Sequence, residues 1–122
     1  MEHSQKFQPD LRHLAEVRRF VSDVADVDVG HPAVLVVSEL ATNVLVHART
    51  PFKVKVRTEP EIRIEVTDES PEVPVVTRAG ASGFGLRLVD ALGSKWGFDP
   101  AAKGKTVWVE VPKEKPPGWS TP

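Results

Sequence analysis

Three short stretches of the chain carry side chains or backbone suited to chemistry. In the apolar run VLVVSELATNVLVHA, Val34 to Ala48, the polar residues Glu39, Asn43 and His47 recur at steps of four. At 3.6 residues per turn this spacing stacks them along one stripe of a helix. A carboxylate and an amide are thereby presented among apolar neighbours, which is costly unless each has a partner. The alternative is a helix with one ordinary solvent face. Further on, Asp68 continues the phase of Ile62, Ile64 and Val66 and would point inward at the end of a strand. It could equally cap a turn with Ser70 ahead of Pro71. Gly83-Phe84-Gly85 then opens an apolar-periodic segment. Free amides at the positive end of a helix suit a phosphate, although close packing of two backbones would also select glycine there.

The elements that must position these groups can be read in order. A short edge strand is expected around Gln5 to Gln8, and a first amphipathic helix from Pro9-Asp10 through Leu11, Leu14, Val17, Val21 and Val24 to about Ala25. His31-Pro32 opens the second helix, with proline in its first turn, and Pro51 ends it near Arg49. Phe52, Val54 and Val56, then Ile62, Ile64 and Val66, alternate with polar residues, which predicts two antiparallel strands with one wet face. Glu69 to Ser82 is too long for a tight connection, and loops of this length are often lids. Leu86, Leu88, Val89 and Leu92 predict a third helix, followed by strands at Lys95 to Phe98 and Lys105 to Val111. On the last strand Thr106, Trp108 and Glu110 face outward. Trp108 is a candidate contact anchor on that wet face, or a cover for the stems of neighbouring Lys and Arg side chains.

Composition narrows the classes. The chain has 122 residues, which fits one domain, with 40% hydrophobic and 27% charged residues and a formal charge of −1. That balance gives no electrostatic footprint for nucleic acid. Cysteine is absent, so disulfides and thiolate metal sites are excluded. No run approaches the about 20 apolar residues of a membrane span, and the first residues lack the apolar core of a signal peptide. A cytoplasmic protein with no membrane partner is the expectation. Residues 1–112 read as a single domain, and 113–122, rich in proline and polar residues, as a disordered tail.

In their order these stretches resemble the GHKL ATPase superfamily with its Bergerat nucleotide-binding fold, and within it the anti-sigma-factor serine/threonine kinases and short stand-alone actinobacterial ATP-binding regulators. SELATNVLVHA is similar to the N box, Asp68 to the aspartate of the first glycine box, SGFGLRLVDAL to the second glycine box and GKTVWVEV to the last strand. The resemblance covers about residues 5 to 112. It implies an α/β two-layer sandwich in which a mixed, mainly antiparallel sheet carries three helices on one face.

The same resemblance implies a site. Asn43 would offer its side-chain oxygen to Mg2+, and Glu39 would orient or deprotonate the attacking hydroxyl. Asp68 would accept the adenine amino group, the amides of Gly83, Phe84, Gly85 and Leu86 would bind the phosphates of ATP, and Thr106 would lie near the base. His47 acquires no role beyond that of a helix-end histidine. The chain departs from the family pattern at Ser70, where the first box has glycine, and at Ala81, where kinases often carry arginine, leaving Arg78 as the nearest cation. It departs again at Lys105, where many relatives have threonine. The function implied is a serine/threonine kinase that phosphorylates an anti-anti-sigma (STAS-type) protein and sequesters a sigma factor, with a homodimer as a further expectation. The alternative is a non-catalytic, nucleotide-gated binder with a degenerate ATP site. ATP hydrolysis without a protein substrate is a third, weaker option.

Overall fold

A computed structural model describes residues 2–71 and 86–120. Five strands form one sheet in the order β1-β2-β3-β5-β4. They are β1 (Glu2–Phe7), β2 (Phe52–Arg57), β3 (Ile62–Asp68), β4 (Lys95–Pro100) and β5 (Lys105–Val111). All four pairings among the described residues are antiparallel. Three helices, α1 (Leu14–Ala25), α2 (Pro32–Asn43) and α3 (Leu86–Leu92), share a core with one face of this sheet. The architecture is the expected α/β two-layer sandwich.

The period of two in β2, β3 and β5 decides which face is buried. Val54, Val56, Ile62, Ile64, Val66, Val107, Val109 and Val111 all point into the core, where β-branched side chains pack well on a pleated surface. β1 begins earlier than expected, at Glu2 rather than Gln5, and only its last residue, Phe7, is buried. Main-chain pairing with β2 holds this edge, so its sequence shows no alternation. Phe7 fixes its end, stacked on Phe52 at 5.6 Å and set edge-on to Phe20 at 6.2 Å.

α1 is preceded by a 3₁₀ turn, Leu11–His13, which Asp10 caps by accepting from the Arg12 amide at 2.9 Å. α2 lies between α1 and α3 and is buried on nearly all sides, as a helix apolar all round must be. Its start is capped by a side chain outside the usual set: His31, 2% exposed, accepts from the Ala33 amide through Nδ1 at 3.0 Å. The helix does not run unchanged to Arg49. Val44–Ala48 forms a π-helical turn, closed by the Arg49 amide on the Val44 carbonyl at 2.6 Å, with Arg49 in the left-handed region at φ 55°.

On the open face of the sheet, Arg63 bridges Glu65 and Glu110 at 2.9 and 2.8 Å. Its guanidinium also lies 4.3 Å from the centre of the Trp108 ring. Trp108 crowds Gly97 from the other side, for a β-carbon there would come within 2.9 Å of the ring. Trp108 therefore covers its own sheet, the second of the two roles open to it.

The segment expected to be a disordered tail is anchored as far as Trp119. His31 Nε2 donates to the Lys113 carbonyl at 2.7 Å, Lys113 pairs with Glu59, Lys115 with Asp28, and the Trp119 indole donates to the Gly30 carbonyl at 2.8 Å. Composition counts the prolines and charges of such a segment, but it cannot show that their partners lie on the α1–α2 and β2–β3 loops. Hydrogen bonds from Lys115 and Lys113 hold the Asp28 and Glu59 carboxyls below their ordinary values. Both contacts are thus present above the usual carboxylate range and lost as pH falls through the lowered values. Acidification from pH 7 to about 2, well below the ordinary carboxylate range, is expected to release the Trp119 indole resonance from its docked position while backbone resonances of β3 and β5 persist. An indole resonance indifferent to pH would show that the two ion pairs do not hold the tail.

Candidate functional site

The site is built where the inner face of the sheet ends. Register aligns Phe7, Phe52, Asp68, Lys105 and Pro100 in one row across all five strands. Asp68 is the last residue of β3, points inward and is 5% exposed. Both readings of it from the sequence apply, since Oδ1 also accepts from the Ser70 amide at 2.9 Å. Directly opposite on β5, the Lys105 ammonium lies 3.1 Å from Oδ1 and 3.0 Å from Oδ2, and 3.4 Å from the Ser70 carbonyl. Lys105 is itself 8% exposed. An inward carboxylate is tolerated here because a cation is buried with it.

Gly104 makes that approach possible. A β-carbon at this position would run into the Asp68 carbonyl and come within 2.8 Å of the Glu69 backbone. Only glycine lets the β4–β5 loop pass so close to the end of β3 and deliver the next residue, Lys105, onto Asp68. From sequence, Gly104 was only the first residue of the stretch similar to the last strand. Lys105 was visible as a departure from the family pattern, but its partner was not.

Asn43, His47, Leu40, Val44 and Ala48 from α2 and its π turn face Asp68, Lys105, Val66 and Val107 from the sheet across a small cavity. The π turn carries His47 and Ala48 into this wall, and such turns recur at functional sites. The structure therefore brings together Asn43, His47, Asp68 and Lys105 around one cavity. Glu39, one turn before Asn43, lines a neighbouring groove with Arg18, Leu35, Ser38 and Thr42 instead. Among the described residues neither Glu39 nor Asn43 makes a side-chain hydrogen bond, which leaves both groups available. Ser38 has no such freedom: its hydroxyl donates to the Val34 carbonyl and accepts from Arg18 Nε at 2.7 Å.

Thr106 faces outward, as alternation predicts, and therefore away from the place near the base that the resemblance implied. One residue out of phase with Lys105, it lies on the open face of the sheet and bonds Thr67 at 2.7 Å. In a strand adjacent side chains point to opposite faces, so Lys105 is in the cavity and Thr106 is not. Leu86 opens α3 and its side chain is 2% exposed in the core. Gly83, Phe84 and Gly85, together with Ala81 and Arg78, lie outside the described residues.

A sandwich with a polar helix stripe facing a strand-end carboxylate across a cavity defines the class of nucleotide-binding α/β domains suggested by the sequence. The chain matches the family model of the histidine kinase-like ATPase domain over residues 7–111 and belongs to that family. Comparison with curated proteins finds no match.

The family implies ATP, generally with magnesium. Among the described residues no group of three or more His, Cys, Asp or Glu residues could hold an ion by itself. Mg2+ keeps waters and takes one or two protein oxygens together with substrate phosphates, and Asn43 can supply one such oxygen. The base end does not fit as it stands. The cavity measures about 20 Å³, room for about one water molecule, and Lys105 holds the carboxylate.

Replacing Gly104 with alanine tests how this end is assembled. Gly104→Ala is expected to lower stability by about 1–3 kcal/mol, the usual cost of overpacking, read as a lower urea midpoint at unchanged slope. A midpoint equal to that of the parent chain would show that the loop is free to move away from Asp68.

Proposed function

We propose that this protein is an ATP-dependent serine/threonine kinase of the anti-sigma-factor type, which phosphorylates an anti-anti-sigma (STAS-type) protein and sequesters a sigma factor. The observation that carries the reading is the convergence of Asn43 and Asp68 on one cavity, with the Glu39 carboxylate, which makes no side-chain hydrogen bond among the described residues, one helical turn away. In this reading Glu39 takes the proton of the attacking serine or threonine hydroxyl, a task for a carboxylate within hydrogen-bond reach. Asn43 presents its amide oxygen to magnesium, which when bound neutralises charge on the transferring phosphoryl group. Asp68 accepts the exocyclic amine of the base.

A second reading is favoured by one specific observation, the Lys105–Asp68 pair. A chain whose base-recognising carboxylate is already held by its own lysine suits a non-catalytic, nucleotide-gated binder of the same partners.

Titration calorimetry and labelled ATP separate the two. Asn43→Ala is expected to lose most of the magnesium-dependent part of ATP affinity. Glu39→Gln keeps size and shape and should leave ATP affinity within a few-fold, while transfer to a co-encoded anti-anti-sigma protein falls roughly 100-fold or more. Nucleotide binding without any transfer by the parent chain would select the binder. No saturable binding of adenine nucleotide at millimolar concentration would reject both readings.

A further inference from the structure

The Lys105 ammonium has three N–H donors, and all three have acceptors within the protein: Asp68 Oδ1 at 3.1 Å, Asp68 Oδ2 at 3.0 Å and the Ser70 carbonyl at 3.4 Å. Asp68 in turn receives Lys105 on both oxygens and the Ser70 amide on Oδ1. The pair is satisfied from within. It leaves no donor aimed at a ligand, and the cavity beside it holds about 20 Å³. A purine ring is far larger than the single water this volume accommodates. Yet the surroundings suit a flat ring, with Val66 and Val107 on the sheet side and Leu40, Val44 and Ala48 on the helix side.

An ammonium on a carboxylate and an exocyclic amine on a carboxylate are the same contact chemically, an N–H donor on an anionic oxygen. The two cannot occupy the same lone pairs together. Lysine can vacate the position where a shorter or branched residue could not, because its charge sits on a flexible four-carbon stem and is strongly hydrated once outside. Lys105 also begins its strand directly after Gly104, at the end of the sheet rather than in its middle.

We propose that Lys105 is a built-in competitor for the base subsite, and that an amine-bearing purine enters only by displacing its ammonium from Asp68. The inference rests on the reading of Asp68 as the base-recognising group. Its consequence is a protein that binds ATP weakly by design of one side chain and whose Lys105 moves from buried to exposed when nucleotide binds.

Two measurements on the full chain test this. Breaking a buried ion pair is costly, so Lys105→Thr is expected to bind Mg-ATP at least about tenfold more tightly than the parent chain. Lys105→Gln, one bond shorter and uncharged but still carrying an N–H donor for Asp68, should gain less. Circular dichroism establishes that each variant is folded, and the glutamine variant decides if the threonine variant is not. In the parent chain, amine-selective acylation followed by peptide mass spectrometry should label Lys105 faster at saturating Mg-ATP than without it. Saturable ATP binding by the parent, with Lys105 labelling unchanged and no gain in either folded variant, overturns the competitor role and leaves the ATP site standing. Binding by neither parent nor variants removes the base-site reading and this inference with it. Binding by the variants alone is the strongest form of the expected result.

Discussion

A sheet face made almost wholly of valine and isoleucine cannot end in a carboxylate unless something neutralises it. In this chain the requirement is met by the residue directly opposite, and much of the local structure follows. The β3–β5 register must align Asp68 with Lys105, the β4–β5 loop must pass close enough to need glycine at 104, and Ser70 must turn back to share the carboxylate. Removing either partner would leave a buried charge uncompensated, the costliest outcome for such a pair. The same ion pair stands at the floor of the cavity between sheet and helix, so the solution to a folding problem also shapes the wall that Asn43 and His47 face.

The helix that completes the cavity meets a constraint of a different kind. α2 is enclosed by α1, α3 and the sheet, so its polar groups need partners inside the protein. Ser38 obtains them from the turn below it and from Arg18, while Thr42 bonds back to the Ser38 carbonyl. Glu39 and Asn43, which are only half-buried, make no side-chain hydrogen bond among the described residues. Widening to a π turn after Asn43 ends the helix and adds His47 to the wall of the cavity. The Asn43 amide is thereby kept at the border between the packed part of the helix and the open site.

Further away, His31 links the start of α2 to the C-terminal segment. One ring nitrogen caps the helix and the other donates to the Lys113 carbonyl, which fixes the tautomer of a neutral ring. The Lys115 ion pair and the indole of Trp119 extend the attachment over the α1–α2 loop, and the Lys113 ion pair extends it to the β2–β3 loop. The exposed pairs contribute little individually, and it is their number on one short segment that holds it. On the opposite side of the sheet, Arg63 joins two carboxylates and an indole, so the largest aromatic of that face is covered from within.

Most of the fold was legible in the sequence because it depends on period. Alternation in β2, β3 and β5 and the apolar run of α2 state which side chains must leave water, and burial follows with little freedom. The stripe of Glu39 and Asn43 was legible for the same reason, as was the inward direction of Asp68. Alternation also assigns Lys105 to the cavity and Thr106 to the open face, although the family likeness alone favoured the threonine. Tertiary structure alone decided the rest: the Lys105–Asp68 contact, the need for glycine at 104, the half-buried Ser38–Arg18 bond, the π turn and the docking of the tail. Each of these depends on which residues distant in sequence come to face one another. Periodicity along a chain fixes the direction in which a side chain points; only the register between strands and the packing between elements fix what it meets there.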